Sequence, residues 1–215
     1  MKNNLKWLLL LPVAVLVAVV LIIFIPRIFS SDSGADGNSN DSSKPQQSQA
    51  TEQEITGIQK RIDAATELIA ANPADAEALK ELGTSYYELG TVQSGSEDFN
   101  ASLRSYKNAI EQYRKYLNIR PQDPEVRIDL GLTYVEMGLI DLGVRELQTA
   151  TVSVSSNQRA WHSLGWALSQ EGKVLEAREA WQKSYNLNPT STIGQESKQF
   201  LDQTAQNQSL GSQSP

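Results

Sequence analysis

The sequence predicts an all-α fold: a helix–turn–helix repeat solenoid of about three units with flanking helices, following a single N-terminal transmembrane helix. Three observations carry this reading. The stretch Pro124–Ser191 matches itself at 34 residues, so that Leu130 falls on Leu164, Gly131 on Gly165, Gly138 on Gly172, Gly143 on Ala177, Leu147 on Trp181 and Ala150 on Ser184. A self-match of that period marks stacked helical pairs. Ile55, Ile58, Ile62, Ala65 and Ile69 recur at three and four residues, which gives one apolar helical stripe. Trp7–Ile25 is an unbroken apolar run of 19 residues.

Residues 1–29 are expected to form the membrane anchor. At a 1.5 Å rise the run covers about 28 Å, close to the hydrocarbon thickness of a bilayer. Trp7 stands at one end, as interfacial anchors do. The alternative is a cleaved secretion signal, whose apolar region spans about 7–15 residues before a small-x-small site. Here Pro26-Arg27-Ile28-Phe29 follows the run. Lys2, Lys6 and the amino terminus precede it, and only Arg27 follows closely. The positive-inside rule then puts the N-terminus in the cytoplasm and the repeats outside the plasma (inner) membrane, as a single-pass protein. Residues 30–50 are almost wholly Ser, Asp, Gly, Asn, Gln and Pro, and are expected to be a disordered linker.

The helical part is expected over residues 51–206. A leading helix over 51–72 caps the first unit, because the ends of a solenoid need covering. The three units have helices near 74–89 and 97–119, 124–137 and 140–153, and 158–171 and 174–187. The first unit is about 14 residues too long, with the excess around Thr91–Leu103. Ser96 followed by Glu97-Asp98 reads as a helix start, which places the extra residues at the front of the second helix. A closing helix over 191–206 turns Ile193, Phe200 and Leu201 to the last unit, and 207–215 is expected to be a disordered tail.

Each position in the third unit has a physical reason. Leu164 and Leu168 lie four apart and share the core face. Gly165 leaves room for the partner helix, and Gly172 suits a left-handed helix cap. Ala177 keeps the second helix close, Trp181 fills the space between helices, and Pro189 ends the second helix. Trp161-x-x-Leu164-Gly165-x-x-Leu168, then Ala177-x-x-x-Trp181, then Pro189, resembles the tetratricopeptide repeat. Leu79, Leu82, Gly83, Tyr86 and Gly90, then Ala109, Tyr113 and Pro121, form a third copy. Three positions depart from the pattern: Arg127 at the tryptophan position, Ser155 at the proline position and Tyr116 where a small residue is usual.

Composition narrows the chemistry. The net charge of −6 argues against nucleic acid, which needs a basic footprint. With no cysteine there is no disulfide, thiolate site or lipidated-cysteine anchor. No nucleotide-binding, hydrolase or zinc-protease motif occurs, and His162 is the only histidine. No cofactor and no enzymatic activity are expected.

The resemblance implies a protein-binding groove lined by the first helix of each unit. Carried over, it places Glu77, Lys80, Thr84, Tyr87 and Glu88 there from the first unit, and Glu125, Ile128, Leu132, Val135 and Glu136 from the second. The third contributes Arg159, His162, Trp166, Ser169 and Gln170. Ile128, Leu132, Val135 and Trp166 would form an apolar surface for an apolar or amphipathic protein segment. The alternative covers are the chain's own leading helix or a second copy in a homo-oligomer. Family members that clamp a chaperone's terminal carboxylate do so with basic and amide groups; Thr84 and Asp129 stand at such positions here. The expected role is a membrane-tethered scaffold or assembly factor of the cell envelope. A holdase for unfolded or apolar clients is the alternative.

Overall fold

A computed structural model describes residues 44–211, with side chains over 51–206. These residues fall in the second of two units, Ser42–Pro215. The anchor expected over 1–29, and most of the expected linker, lie outside the described residues. Among the described residues no helix is long and apolar enough to cross a membrane.

The described residues form eight helices and no strand. These are α1 (Lys44–Ala71), α2 (Ala76–Gly95), α3 (Phe99–Ile119), α4 (Pro124–Glu136), α5 (Ile140–Ser153), α6 (Gln158–Gln170), α7 (Val174–Leu187) and α8 (Thr192–Gly211). The pairs α2–α3, α4–α5 and α6–α7 are the three units. Capping follows the local sequence. Asp75, Asp98, Asp123 and Asn157 each accept a backbone N–H from the first turn of the helix they precede, and Pro124 opens α4 with φ already suited to a helix. Gly138 (φ 75°) and Gly172 (φ 81°) take the left-handed conformation just past α4 and α6.

Three boundaries differ from the sequence expectation. Helix α1 begins at Lys44 rather than Thr51, with Pro45 in its first turn, where a missing N–H costs nothing. Helix α8 runs on to Gly211, past the expected limit at Gln206. The third difference concerns the long unit. Helices α2 and α3 have 20 and 21 residues, against 13 and 14 in α4 and α5, so each gains seven. The extra chain is therefore shared between both helices rather than added to the front of α3. The turn falls at 96–98, with Glu97 at φ 63° and Asp98, not Ser96, capping α3.

Seven residues are two helical turns, so the added segment repeats the packing of the segment below it. Gly83 faces the ring of Tyr113, and Gly90 faces the ring of Tyr106. Tyr113 Oη–H lies 3.4 Å from Thr84 Oγ1, and Tyr106 Oη–H lies 3.4 Å from Thr91 Oγ1. In sequence this is Leu82-Gly83-Thr84 recurring as Leu89-Gly90-Thr91. Gly90 is thus a close-packing glycine within α2, not the helix cap that Gly138 and Gly172 provide.

The core runs the length of the array. Ile58, Ile62 and Ala65 of α1 pack with Leu82 and Leu89 of α2, as the leading stripe requires. Tyr113 and Tyr116 join Leu79, Val126 and Leu130 between the first and second units. Tyr116 is large at a usually small position, but its hydroxyl finds Asp123 at 2.5 Å. Arg127, at the tryptophan position, is held by Glu146 at 2.7 Å and by the carbonyl of Pro121. At the far end Trp181 is buried and stacks on Phe200 of α8, with centroids 4.9 Å apart.

Candidate functional site

The order of packing defines an inner face. Each first helix touches the next: α2 meets α4, α4 meets α6, and α6 meets α8. The second helices α3, α5 and α7 do not touch one another. The first helices therefore crowd the concave side, and the second helices splay on the convex side. Among the described residues helix α1 packs on α2 alone and does not lie along this groove. It caps the first unit instead, and the alternative in which the leading helix fills the groove is not the arrangement found.

The groove residues divide by burial. Ile128 is 0 % exposed and Val135 is 7 % exposed, so neither belongs to an open surface. Both join a core with Val144 and Leu147 of α5 and Ala160, Leu164 and Ala167 of α6, with Val135 set against Gly143 of α5. The expected four-residue apolar patch is thus reduced. Leu132 and Trp166 are half-buried, resting on that same core with part of each side chain open. Lys80, Thr84, Tyr87 and His162 are also half-buried.

The polar groups are mostly engaged. Arg159 binds Asp129 at 2.5 Å and Glu125 at 3.0 Å. Burial works against this guanidinium, but its two carboxylate neighbours carry its pKa upward. Arg61 of α1 pairs with Glu88, and Thr84 meets the hydroxyl of Tyr113. Tyr87 lies 5.8 Å from Tyr106 between ring centroids. Burial, then the nearby Glu136, raises the Tyr87 phenol above its usual range. Desolvation by neighbouring side chains also raises the Glu136 carboxyl, although the residue is exposed at the surface, and it has no ion pair among the described residues.

His162 is held by α8. Its Nδ1 lies 2.9 Å from Ser197 Oγ, its Nε2 3.7 Å from Glu196 Oε2, and its ring 5.9 Å from that of Phe200. Burial lowers its pKa, and Glu196 opposes that. The row of Glu, His and Ser has the members of a hydrolytic triad but not the access. Ser197 is 0 % exposed and its hydroxyl donates to the carbonyl of Ile193. It locks α8 to the last unit.

Sequence reasoning placed Glu125 and Arg159 in the groove but missed their pairing. The signal was present, since opposite charges stand 34 residues apart at equivalent positions in adjacent units. The contacts of Glu196 and Ser197 with His162 had no such signal, because α8 lies outside the repeat period.

A family model for the tetratricopeptide repeat matches residues 62–124 and 128–191, more than half of the chain. The protein belongs to the tetratricopeptide repeat family, whose members are generally non-catalytic modules of protein–protein interaction. Among solved structures, a crystal structure of MamA is 16 % identical, with 84 % of this chain and 100 % of that chain aligned at a TM-score of 0.54. The first such domain of Spaghetti (RPAP3), bound to an HSP90 peptide, is 20 % identical over 62 % of this chain and 93 % of its own, with a TM-score of 0.52. The solution structure of the first such domain of human RPAP3 is also 20 % identical, over 67 % of this chain and 100 % of its own, at 0.53. These likenesses are of fold. No curated protein matches the sequence.

Proposed function

We propose that the chain is a membrane-tethered, non-catalytic scaffold or assembly factor of the cell envelope, whose concave groove holds an apolar or amphipathic segment of a protein partner. The observation that carries this is that Leu132 and Trp166 share one core and are both half-buried. These two large apolar side chains stand on adjacent inner helices. Open apolar surface of this kind favours a partner by about 25 cal/mol per Å² covered. The peptide bound to the Spaghetti domain supports a protein segment as the kind of ligand. It does not carry over the same ligand, since Arg159, a cation a terminal carboxylate would need, is already engaged by Asp129 and Glu125. The tether rests on the 19-residue run Trp7–Ile25 and on the charge asymmetry around it.

The test is photocrosslinking in intact membranes from Leu132, with Val152 on the convex side as control. Capture of one defined protein from Leu132 alone, abolished by Trp166→Glu, supports the scaffold. Capture of many unfolded clients favours a holdase. Equal capture from both positions removes the groove from consideration. Protease added to spheroplasts reads the topology: the repeats are digested while the N-terminal segment stays in the membrane fraction.

A further inference from the structure

One face of the domain runs against its overall charge. Residues 51–206 carry 15 Lys and Arg against 22 Asp and Glu, yet α3 holds four of those cations and only one of the acids. The four are Arg104, Lys107, Arg114 and Lys115, all exposed. At 100° per residue they fall within an arc of about 100°, and they run for roughly 16 Å along the helix. Lys115 pairs with Glu111 at 2.7 Å. Arg104, Lys107 and Arg114 have no ion pair among the described residues. Among the described residues nothing covers this face, since α3 packs only on α2 and α4. Beside the cations stand Leu103, 44 % exposed, and Phe99, 54 % exposed, which the added heptad brings to the surface.

We propose that this stripe docks the domain on the anionic headgroups of a lipid bilayer. Unpaired cations flanked by exposed apolar side chains match an interface whose surface is negative and whose interior is apolar. The choice of a bilayer rests on the tethered reading above. In that reading Trp7–Ile25 spans the membrane, so the domain and the bilayer are held by one chain. Tethering raises the local concentration, so a stripe of modest affinity suffices. Docking would give the domain a fixed orientation, with the groove of α2, α4 and α6 on the opposite side of each helical pair.

The test uses the full chain in vesicles of phosphatidylcholine alone or mixed with phosphatidylglycerol. The absence of cysteine allows one label, at Asn118→Cys on the stripe or at Gln203→Cys on α8. Headgroup quenchers should quench the Asn118 label more strongly in the anionic mixture, and added salt should reverse this. The Gln203 label should not respond. Each cation removed should weaken the docked state roughly fivefold, so Arg104→Glu/Lys107→Glu/Arg114→Glu should reduce quenching to the level seen in neutral lipid. Equal quenching in the two lipids, or an unaffected triple variant, would overturn the proposal. Flotation separates the two readings. A chain that fails to float with neutral vesicles has no anchor, and the stripe is then read by flotation with anionic vesicles, which the triple variant must abolish. Binding of soluble polyglutamate without any response to anionic lipid would assign the stripe to an acidic protein and overturn the lipid assignment.

Discussion

Gly90 lies directly under the ring of Tyr106: a Cβ at Gly90 would fall 2.6 Å from Tyr106 Cε1. The same contact exists one heptad away, where a Cβ at Gly83 would fall 2.7 Å from Tyr113 Cδ1. A pair of antiparallel helices can grow at its tip without disturbing the rest only if both gain the same number of turns and the new face repeats the old. Deleting 89–95 together with 99–105 should therefore give a folded domain with a regular first unit. Deleting either segment alone should put the two helices seven residues out of step, so that one tyrosine or one glycine of the two pairs loses its partner, and should cause a large loss of melting temperature. Far-ultraviolet circular dichroism against temperature separates these outcomes, and equal melts for the single and double deletions would refute the heptad account.

How far the sequence could be read depended on what each signal encodes. Leu164, Gly165 and Trp181 report contacts within one helical pair, and a 34-residue self-match exposes them directly. The seven-residue echo in α2 is equally visible as Leu-Gly-Thr written twice, but Gly90 also falls at the repeat's cap position, so the 34-residue pattern masks it. The groove was less legible. Position along α4 says which way Ile128 and Leu132 point, but burial depends on how closely α6 approaches, and that is set by Ala160 and Ala167 on another helix.

Trp181 and Phe200 join the last unit to α8. Trp181→Ala should cost about 3–5 kcal/mol, the usual range for a buried aromatic. Phe200, half-buried, should cost less when changed to Ala, and should loosen α8 while the units before it stay folded. Amide exchange localised to 192–206 would register that difference. Uniform loss of protection throughout the domain would mean the cap is inseparable from the repeats.

His162 should make the closing helix sensitive to acid. Burial lowers its pKa in the folded chain, so the unfolded chain binds the proton more readily. Stability from the neutral ring is complete above the unfolded value of about 6.5 and is lost as pH falls below it, toward the lower folded value. Glu196 moderates the effect without reversing it. Melting temperature should fall from pH 7.5 to pH 5, and His162→Gln should flatten that part of the profile. As the only histidine, it is the natural source of any such step. A profile unchanged by the substitution would place the step elsewhere.

Val135 and Leu132 offer the sharpest contrast on α4, since both stand at positions the family resemblance assigns to the groove. Val135 is 7 % exposed and faces Gly143, where a side chain on that glycine would meet Val135 Cγ2 at 2.5 Å. Val135→Glu would bury a carboxylate with no partner, which costs several kcal/mol and should unfold the second unit. Leu132 is half-buried, so Leu132→Glu can turn its charge toward solvent, and its cost should stay near 1 kcal/mol. If the groove is the partner surface, Leu132→Glu should nonetheless abolish capture of the partner in membranes. A charge placed in a desolvated contact weakens binding far more than it weakens an open fold. Denaturant unfolding of the two variants decides the burial claim, and capture by the folded Leu132→Glu protein decides the binding claim. Similar midpoints for both variants would contradict the separation of these side chains into core and surface.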